Sequence, residues 1–245
     1  MPEVRSVLAA ALSGLPIAGA AVAGPGPEPI ADPATGWDRL WEEMLIDITV
    51  IGLVFAAVAA WFMWRYRRRD RAEGDPPRLS AAAAVGWAVI PAFAFMADDF
   101  YLAAKGWELW KVYRTVPEGA LEVRLDSAMW SWNYTYPNGA VTVNELRVPA
   151  GRPVLLRMTS RDVVHSHFIP DFRVKEDSMP GRITYLWFYP KEPGEHVVTC
   201  AEYCGLLHSR MAGKVIVMAP DAFEAWYRAA GQKAAAEAAS GGEEA

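Results

Sequence analysis

Three long apolar stretches come first along the chain, and a region of alternating apolar and polar positions follows them. Arg5 precedes the first stretch, Val7 to Gly24, which ends around Ala21-Val22-Ala23. A basic start, a short apolar core and a small-x-small tripeptide predict a secretory signal peptide over residues 1–23. Residues 24–36 hold four Pro and read as a linker. The second stretch, Met44 to Trp64, is 21 residues long with Asp47 as its only charge. About 20 residues cross a bilayer core, so this is a transmembrane helix over about 41–66. Arg65-Tyr66-Arg67-Arg68-Arg69-Asp70-Arg71 follows directly and marks the cytoplasmic side. The third stretch starts at Ala81 and predicts a helix over about 81–110, with Pro91 inside it as bilayer helices allow. Trp37, Trp41, Trp61, Trp64 and Tyr66 suit the interfacial belts of such a hairpin, placed over residues 37–111. Both of its ends then face away from the cytoplasm.

From Glu118 the period changes to two and β-branched residues increase. The candidate strands are Leu121–Asp126, Trp130–Tyr136, Val141–Val148, Pro153–Thr159, Val163–Ile169, Arg182–Phe188, Gly194–Thr199 and Gly213–Met218. Turn signals such as Pro137-Asn138-Gly139 and Pro193-Gly194 separate them. Short strands at this spacing predict a Greek-key sandwich or barrel over residues 118–220. Residues 221–245 read as a helix with Asp221 as a possible cap, then a tail.

Composition narrows the class. Of 245 residues, 53% are hydrophobic and 22% charged, with a formal net charge of −5. That is too apolar for a disordered chain, and without a basic excess for a nucleic-acid binder. Two Cys cannot staple a domain of this size, and no Cys-x-x-Cys-His for a haem c occurs.

All four His (165, 167, 196, 208) and both Cys (200, 204) lie in the predicted β domain. Cys200, Cys204, His208 and Met211 form a Cys-x3-Cys-x3-His-x2-Met run, with His165 on an earlier strand. A disulfide is the ordinary fate of two Cys in an exported domain. Thiolate, imidazole and thioether together select copper instead, and zinc takes a Cys2His2 set. A mononuclear electron-transfer copper needs only one thiolate, whereas two thiolates can bridge two coppers with one His each. His167 reads as packing near a ligand, and His196 as a strand-surface residue.

Asp162-Val163-Val164-His165-Ser166, Pro180-Gly181-Arg182, the Cys/His/Met loop and the aromatic strand Trp130-Ser131-Trp132-Asn133-Tyr134-Thr135-Tyr136 resemble subunit II of the haem–copper cytochrome c oxidases. The resemblance covers about Trp37 to Trp226 and implies a two-helix transmembrane hairpin followed by an all-β cupredoxin-like Greek-key domain. It implies a dinuclear copper centre, CuA, with Cys200 and Cys204 bridging, His165 and Met211 on one copper, and His208 and the Glu202 carbonyl on the other. The Glu202 side chain would also reach a magnesium shared with subunit I. Trp130 would be the electron-input residue. Trp132, Tyr134 and Tyr136 would pack against the site and subunit I, and electrons would leave near His208. The implied partners are subunit I with the other oxidase subunits, the membrane, and cytochrome c or another small redox donor. Asp162 keeps one position where the family places acids for docking a basic donor, but Arg161 and Thr135 stand at others, so steering is expected to be weak. The implied place is a bacterial-type inner membrane, crossed twice, with the copper domain on the extracytoplasmic side. A nitric oxide reductase subunit would share the copper site. A quinol oxidase subunit lacks those ligands, and a copper carrier needs neither the Trp130 strand nor the Pro180 turn. Asp98, Asp99 and Glu108 are further candidates in the second span.

Overall fold

In the computed structural model, residues 31–67 and 79–241 are described. The expected signal peptide, the first part of the linker, and Arg68, Arg69 and Arg71 lie outside the described residues.

Helix α1 runs Pro33–Arg65 and α2 runs Ala81–Arg114. The α1 start is local chemistry. The Asp32 side chain accepts from the Ala34 amide at 3.1 Å, and Pro33 supplies a fixed φ at the first helical position. The helix therefore takes in the last residues of the expected linker and begins well before residue 41. Ser80 caps α2 in the same way, and α2 passes through Pro91 to Arg114, beyond residue 110. The best windows of the two helices have mean hydropathies of 2.3 and 1.6 and none of their residues buried. Phe55 and Ile90 are 74% and 72% exposed, the pattern of helices sited in lipid rather than water. The helices approach closely at Gly36, where a Cβ would lie 2.5 Å from Leu109 Cδ1 and the Leu109 side chain would have to shift.

The β domain consists of β1 Leu121–Ala128, β2 Ser131–Thr135, β3 Val141–Val143, β4 Glu145–Pro149, β5 Val154–Ser160, β6 His165–Ile169, β7 Val174–Ser178, β8 Thr184–Phe188, β9 Gly194–Cys200 and β10 Ala212–Met218. They form two five-stranded sheets, β3-β2-β1-β5-β8 and β4-β10-β9-β6-β7. The β1–β5 and β4–β10 pairs are parallel, and the other pairs are antiparallel. Alternating residues of each sheet, such as Val123, Leu125, Leu156, Val198 and Val215, meet in one core. The expected fold class holds: a helical hairpin, then an all-β, cupredoxin-like sandwich.

Three expectations change. The expected strand 141–148 is two strands in different sheets, β3 and β4, with the chain crossing over at Asn144. Asn144 has φ 57°, a left-handed conformation that Asn tolerates. Its amide donates to the Trp132 carbonyl at 2.7 Å, and its side-chain oxygen accepts from the Trp132 amide at 2.8 Å. Secondly, β7 was absent from the strand pattern because Lys175, Glu176 and Asp177 hide the alternation; it is an edge strand, where charges prevent pairing with other chains. Thirdly, the C-terminal helix α3 spans Pro220–Gly241, so Asp221 lies inside its first turn and is not the cap.

Helix α3 sets Phe223, Trp226 and Tyr227 against the sandwich, with Tyr136 5.1 Å from the Trp226 ring. Trp132, Tyr134 and Tyr136 are 0, 0 and 2% exposed. They are core residues of this chain, and the expectation that they also face a partner subunit does not hold.

The crossover generates a prediction. A Cβ at Gly213 would lie 2.8 Å from the Asn144 carbonyl oxygen and 3.3 Å from the Trp132 ring. Gly213→Ala should therefore destabilise the protein by about 1–3 kcal/mol, read as a lower unfolding midpoint than wild type in detergent.

Candidate metal centre

The site forms where two strands and a loop converge. Strand β6 carries His165, and β9 ends at Cys200. The chain then turns through Cys204 and a short 3-10 helix over His208–Arg210 before Met211 starts the return into β10. The Cys200 amide donates to the Met211 carbonyl at 3.1 Å, which sets the two ends of the loop side by side. The Ala201 amide donates to the Ser166 carbonyl at 2.9 Å and ties the loop to β6.

The two Cys sulfurs are 3.7 Å apart, both cysteines are free, and a disulfide would need about 2.05 Å. One ring nitrogen of His165 and both sulfurs lie within 4.8 Å of one another. The Cys204 sulfur also lies 3.6 Å from His208 Nδ1 and 3.7 Å from Met211 Sδ. The Cys200 sulfur is 3.1 Å from the Glu202 carbonyl oxygen. All six site residues expected from the sequence besides Trp130 thus gather at one place. His208 approaches through Cys204 rather than joining the tight His165–Cys200–Cys204 group.

His165 shows best that the residues fit a metal. It is fully buried, and its Nε2 is 2.8 Å from Asp162 Oδ1. Its Nδ1 is buried with no hydrogen-bond partner. The carboxylate keeps the proton on Nε2 and leaves the Nδ1 lone pair open, as a metal-ligating imidazole requires. The thiols supply a second indication. Burial, then the neighbouring Cys200 thiol, pushes Cys204 up to about 11. Two thiolates this close need a cation between them, and a soft thiolate, imidazole and thioether set favours copper.

Asp162 was read from sequence only as a possible docking acid. Partial burial opposes its ionisation, but the Met129 amide, then His165 and the Val163 amide, hold it down at about 2. One oxygen thus faces His165 while the other accepts from the Met129 amide at 2.7 Å. The signal was an Asp three residues before a ligand His, one turn of chain away. Trp130 sits in the turn after β1 and donates from Nε1 to the Cys204 carbonyl at 3.2 Å. Trp130 therefore reaches the loop that carries the sulfurs, while Asp162 holds His165 on β6.

The remaining polar candidates do other work. His167 is buried, and burial pulls it down to about 3, so it is neutral. Its Nε2 meets the Tyr134 hydroxyl at 2.9 Å, and the Trp132 ring packs edge-on against it at 4.9 Å. It is packing beside the ligand strand, as its position suggested. His196 pairs with Asp171 at 2.7 Å and rests on Phe172. Glu108 pairs with Lys111 at 2.7 Å, and it, Asp98 and Asp99 stand outside the metal cluster.

Removing the carboxylate that orients His165 should weaken the site without removing a ligand. Asp162→Ala is expected to lower copper affinity by about 10- to 100-fold, measured by competition with a chelator of known affinity. An unchanged affinity would mean that His165 needs no orienting partner.

Residues 138–219 match the sequence model of the family described as cytochrome c oxidase subunit II, periplasmic domain. The chain is 28% identical over 235 residues to an alternative cytochrome c oxidase subunit 2 of Bradyrhizobium diazoefficiens, covering 79% of this chain and 80% of that one. It is 39% identical over 108 residues to cytochrome c oxidase subunit 2 of Thermostichus vulcanus, covering 44% of this chain and only 33% of that one. Among solved structures, the periplasmic domain of subunit II of cytochrome oxidase from Bradyrhizobium japonicum is 28% identical and aligns with a TM-score of 0.47, covering 49% of this chain and 99% of that one. The matching domain family, a relative similar along most of both chains, and a buried His–Cys–Cys cluster point the same way: residues 138–219 carry a cytochrome c oxidase subunit II periplasmic domain, and most of the chain is similar to a subunit 2 of such an oxidase.

Proposed function

We propose that the chain is the electron-input subunit of a cytochrome c oxidase. It takes electrons from a cytochrome c, or another small redox donor, at a dinuclear copper centre and passes them to haem in subunit I, where O2 is reduced and protons are pumped. The observation that carries this reading is the pair of free thiols 3.7 Å apart, flanked by His165, His208 and Met211.

In this reading Cys200 and Cys204 would hold both metals, His165 and Met211 would serve one, and His208 with the Glu202 carbonyl would serve the other. When bound, the copper pair supplies a one-electron site whose charge is shared over two metals, which keeps reorganisation small. The chain does the rest. Asp162 holds the proton of His165 and fixes its ring, while Tyr134, Trp132 and His167 fill the space behind it and keep water out. Met211, 2% exposed, closes the buried side of Cys204. Trp130 links the surface to the Cys204 backbone through its indole N–H, a short path for an incoming electron. His208 stands on the exposed side of the loop and is the natural exit. The Glu202 side chain is exposed beside the site and free to meet a magnesium at the subunit I boundary.

In this reading the N-terminal segment is a removable signal. The two helices then anchor the protein in a bacterial-type inner membrane, with the copper domain on the extracytoplasmic side. Oxygen uptake by the purified complex, without nitric oxide uptake, separates this reading from the nitric oxide reductase one.

With copper, the protein should be purple and give a seven-line electron paramagnetic resonance pattern from one electron shared equally by two nuclei. A four-line pattern from one copper, or colourless zinc binding, would overturn it. Glu202→Ala should keep the pattern, because only its carbonyl is a ligand.

Trp130→Ala should lower kcat/KM for the donor while the copper spectrum stays unchanged, because the path and not the metal is cut. An unchanged rate would place the input elsewhere on the domain.

A further inference from the structure

The outer ends of α1 and α2 meet the β domain around two cavities of about 320 and 260 Å³. Both are walled by Trp37 and Arg173. Trp41 and Phe168 close the larger cavity, and Trp110 and Tyr113 the smaller. The walls are held rigidly. Gly36 lets α1 touch Leu109 of α2, and Trp187 donates to the Tyr113 carbonyl at 3.0 Å, locking the end of α2 to β8.

Arg173 is the unusual wall. It sits at φ 55°, a left-handed conformation uncommon for a residue with a Cβ. Its Nε bonds Asp38 at 3.0 Å, and its side chain is 57% exposed. Among the described residues, Asp38 is its only side-chain partner, which leaves both terminal amines open. Lys175 lines the smaller cavity and leans on Asp177 at 3.4 Å. Lys175 is thus paired with Asp177, whereas Arg173 keeps open donors beyond its bond to Asp38.

We propose that this junction binds an anionic membrane glycerophospholipid. The phosphate sits on the open amines of Arg173, and the glycerol and upper acyl carbons lie against Trp37, Trp41 and Trp110. Three features select a lipid as the occupant. The cavities lie where the apolar helices end, which is the level of headgroups. Trp and Tyr rings at that level are amphipathic in the way the interface requires. The open terminal amines of Arg173 match the oxygens of one phosphodiester. The proposal rests on α1 and α2 crossing the bilayer, which resistance of the protein to alkaline carbonate extraction tests separately.

The direct test uses the purified membrane complex, stripped of lipid in detergent. It is titrated with short-chain phosphatidylglycerol, short-chain phosphatidylcholine and inorganic phosphate, with bound molecules counted by native mass spectrometry. Wild type should bind phosphatidylglycerol more tightly than either competitor. Arg173→Gln should bind it about fivefold more weakly, the usual effect of one basic residue at a membrane surface. Arg173→Lys should retain the affinity. Trp41→Ala, which leaves the Arg173–Asp38 pair in place, should also weaken binding, with the melting temperature and copper signal of wild type in both variants. Equal affinity in wild type, Arg173→Gln and Trp41→Ala would overturn the proposal. So would phosphate binding as tightly as the lipid, or a side chain of another subunit cross-linked into the cavity.

Discussion

Two thiol sulfurs 3.7 Å apart set the problem that the rest of the β domain solves. Burial, then the neighbouring Cys200 thiol, makes it costly for Cys204 to lose its proton. The backbone brings the two thiols together from different sides: the Cys200 amide at the end of β9 donates to the Met211 carbonyl, and the Cys204 carbonyl accepts from the Trp130 indole. The pair is thus spaced for a cation.

The frame around the pair is rigid because it crosses between sheets. Strand β2 carries Trp132 and Tyr134 in one sheet, and β6 carries His165 and His167 in the other. The aromatic rings of the first meet the imidazoles of the second. Asn144 fastens β2 to the start of β4, and its carbonyl also accepts from the Lys214 amide of β10. The loop therefore begins and ends on strands that the opposite sheet holds in place. Such a frame limits ligand movement, which is what a fast one-electron site requires.

Much of this was legible in the sequence, and for definite reasons. Hydrophobic length gave the two helices, period two gave most strands, and soft ligands at short spacing gave the metal loop. What was not legible depended on contacts between distant residues. The break at Asn144 shows only as two adjacent polar residues, Asn144-Glu145, that shift the alternation by one, and only the second sheet says that the chain changes sheets there. The β7 strand is hidden because its charges face solvent along an edge. Asp162 read as a surface acid because nothing local indicates that both of its oxygens are used, one for His165 and one for the Met129 amide. Trp132, Tyr134 and Tyr136 read as packing partly against subunit I because their full burial depends on α3 and on β6, both far along the chain.

The same distant contacts fix where the metal stands relative to the membrane. Arg114 at the end of α2 lies over Trp110 at 4.6 Å and over Tyr185 at 5.3 Å, and it pairs with Glu176 at 2.8 Å. That pair is only 30% and 17% exposed, so solvent screens it less than an ordinary surface ion pair. Glu176 stands opposite His167 in the β6–β7 ladder, and His165 stands opposite Ser178. Two paired strands therefore connect the helix end to the ligand histidine, with no flexible segment between them. A swinging domain would have to break the Arg114 stack and the Trp187 bond to Tyr113 together. Under the proposed function, the donor would therefore meet a ligand loop whose orientation relative to the two helices is set by this chain itself, and selectivity would reside in the surface around Trp130 rather than in any movement of the domain.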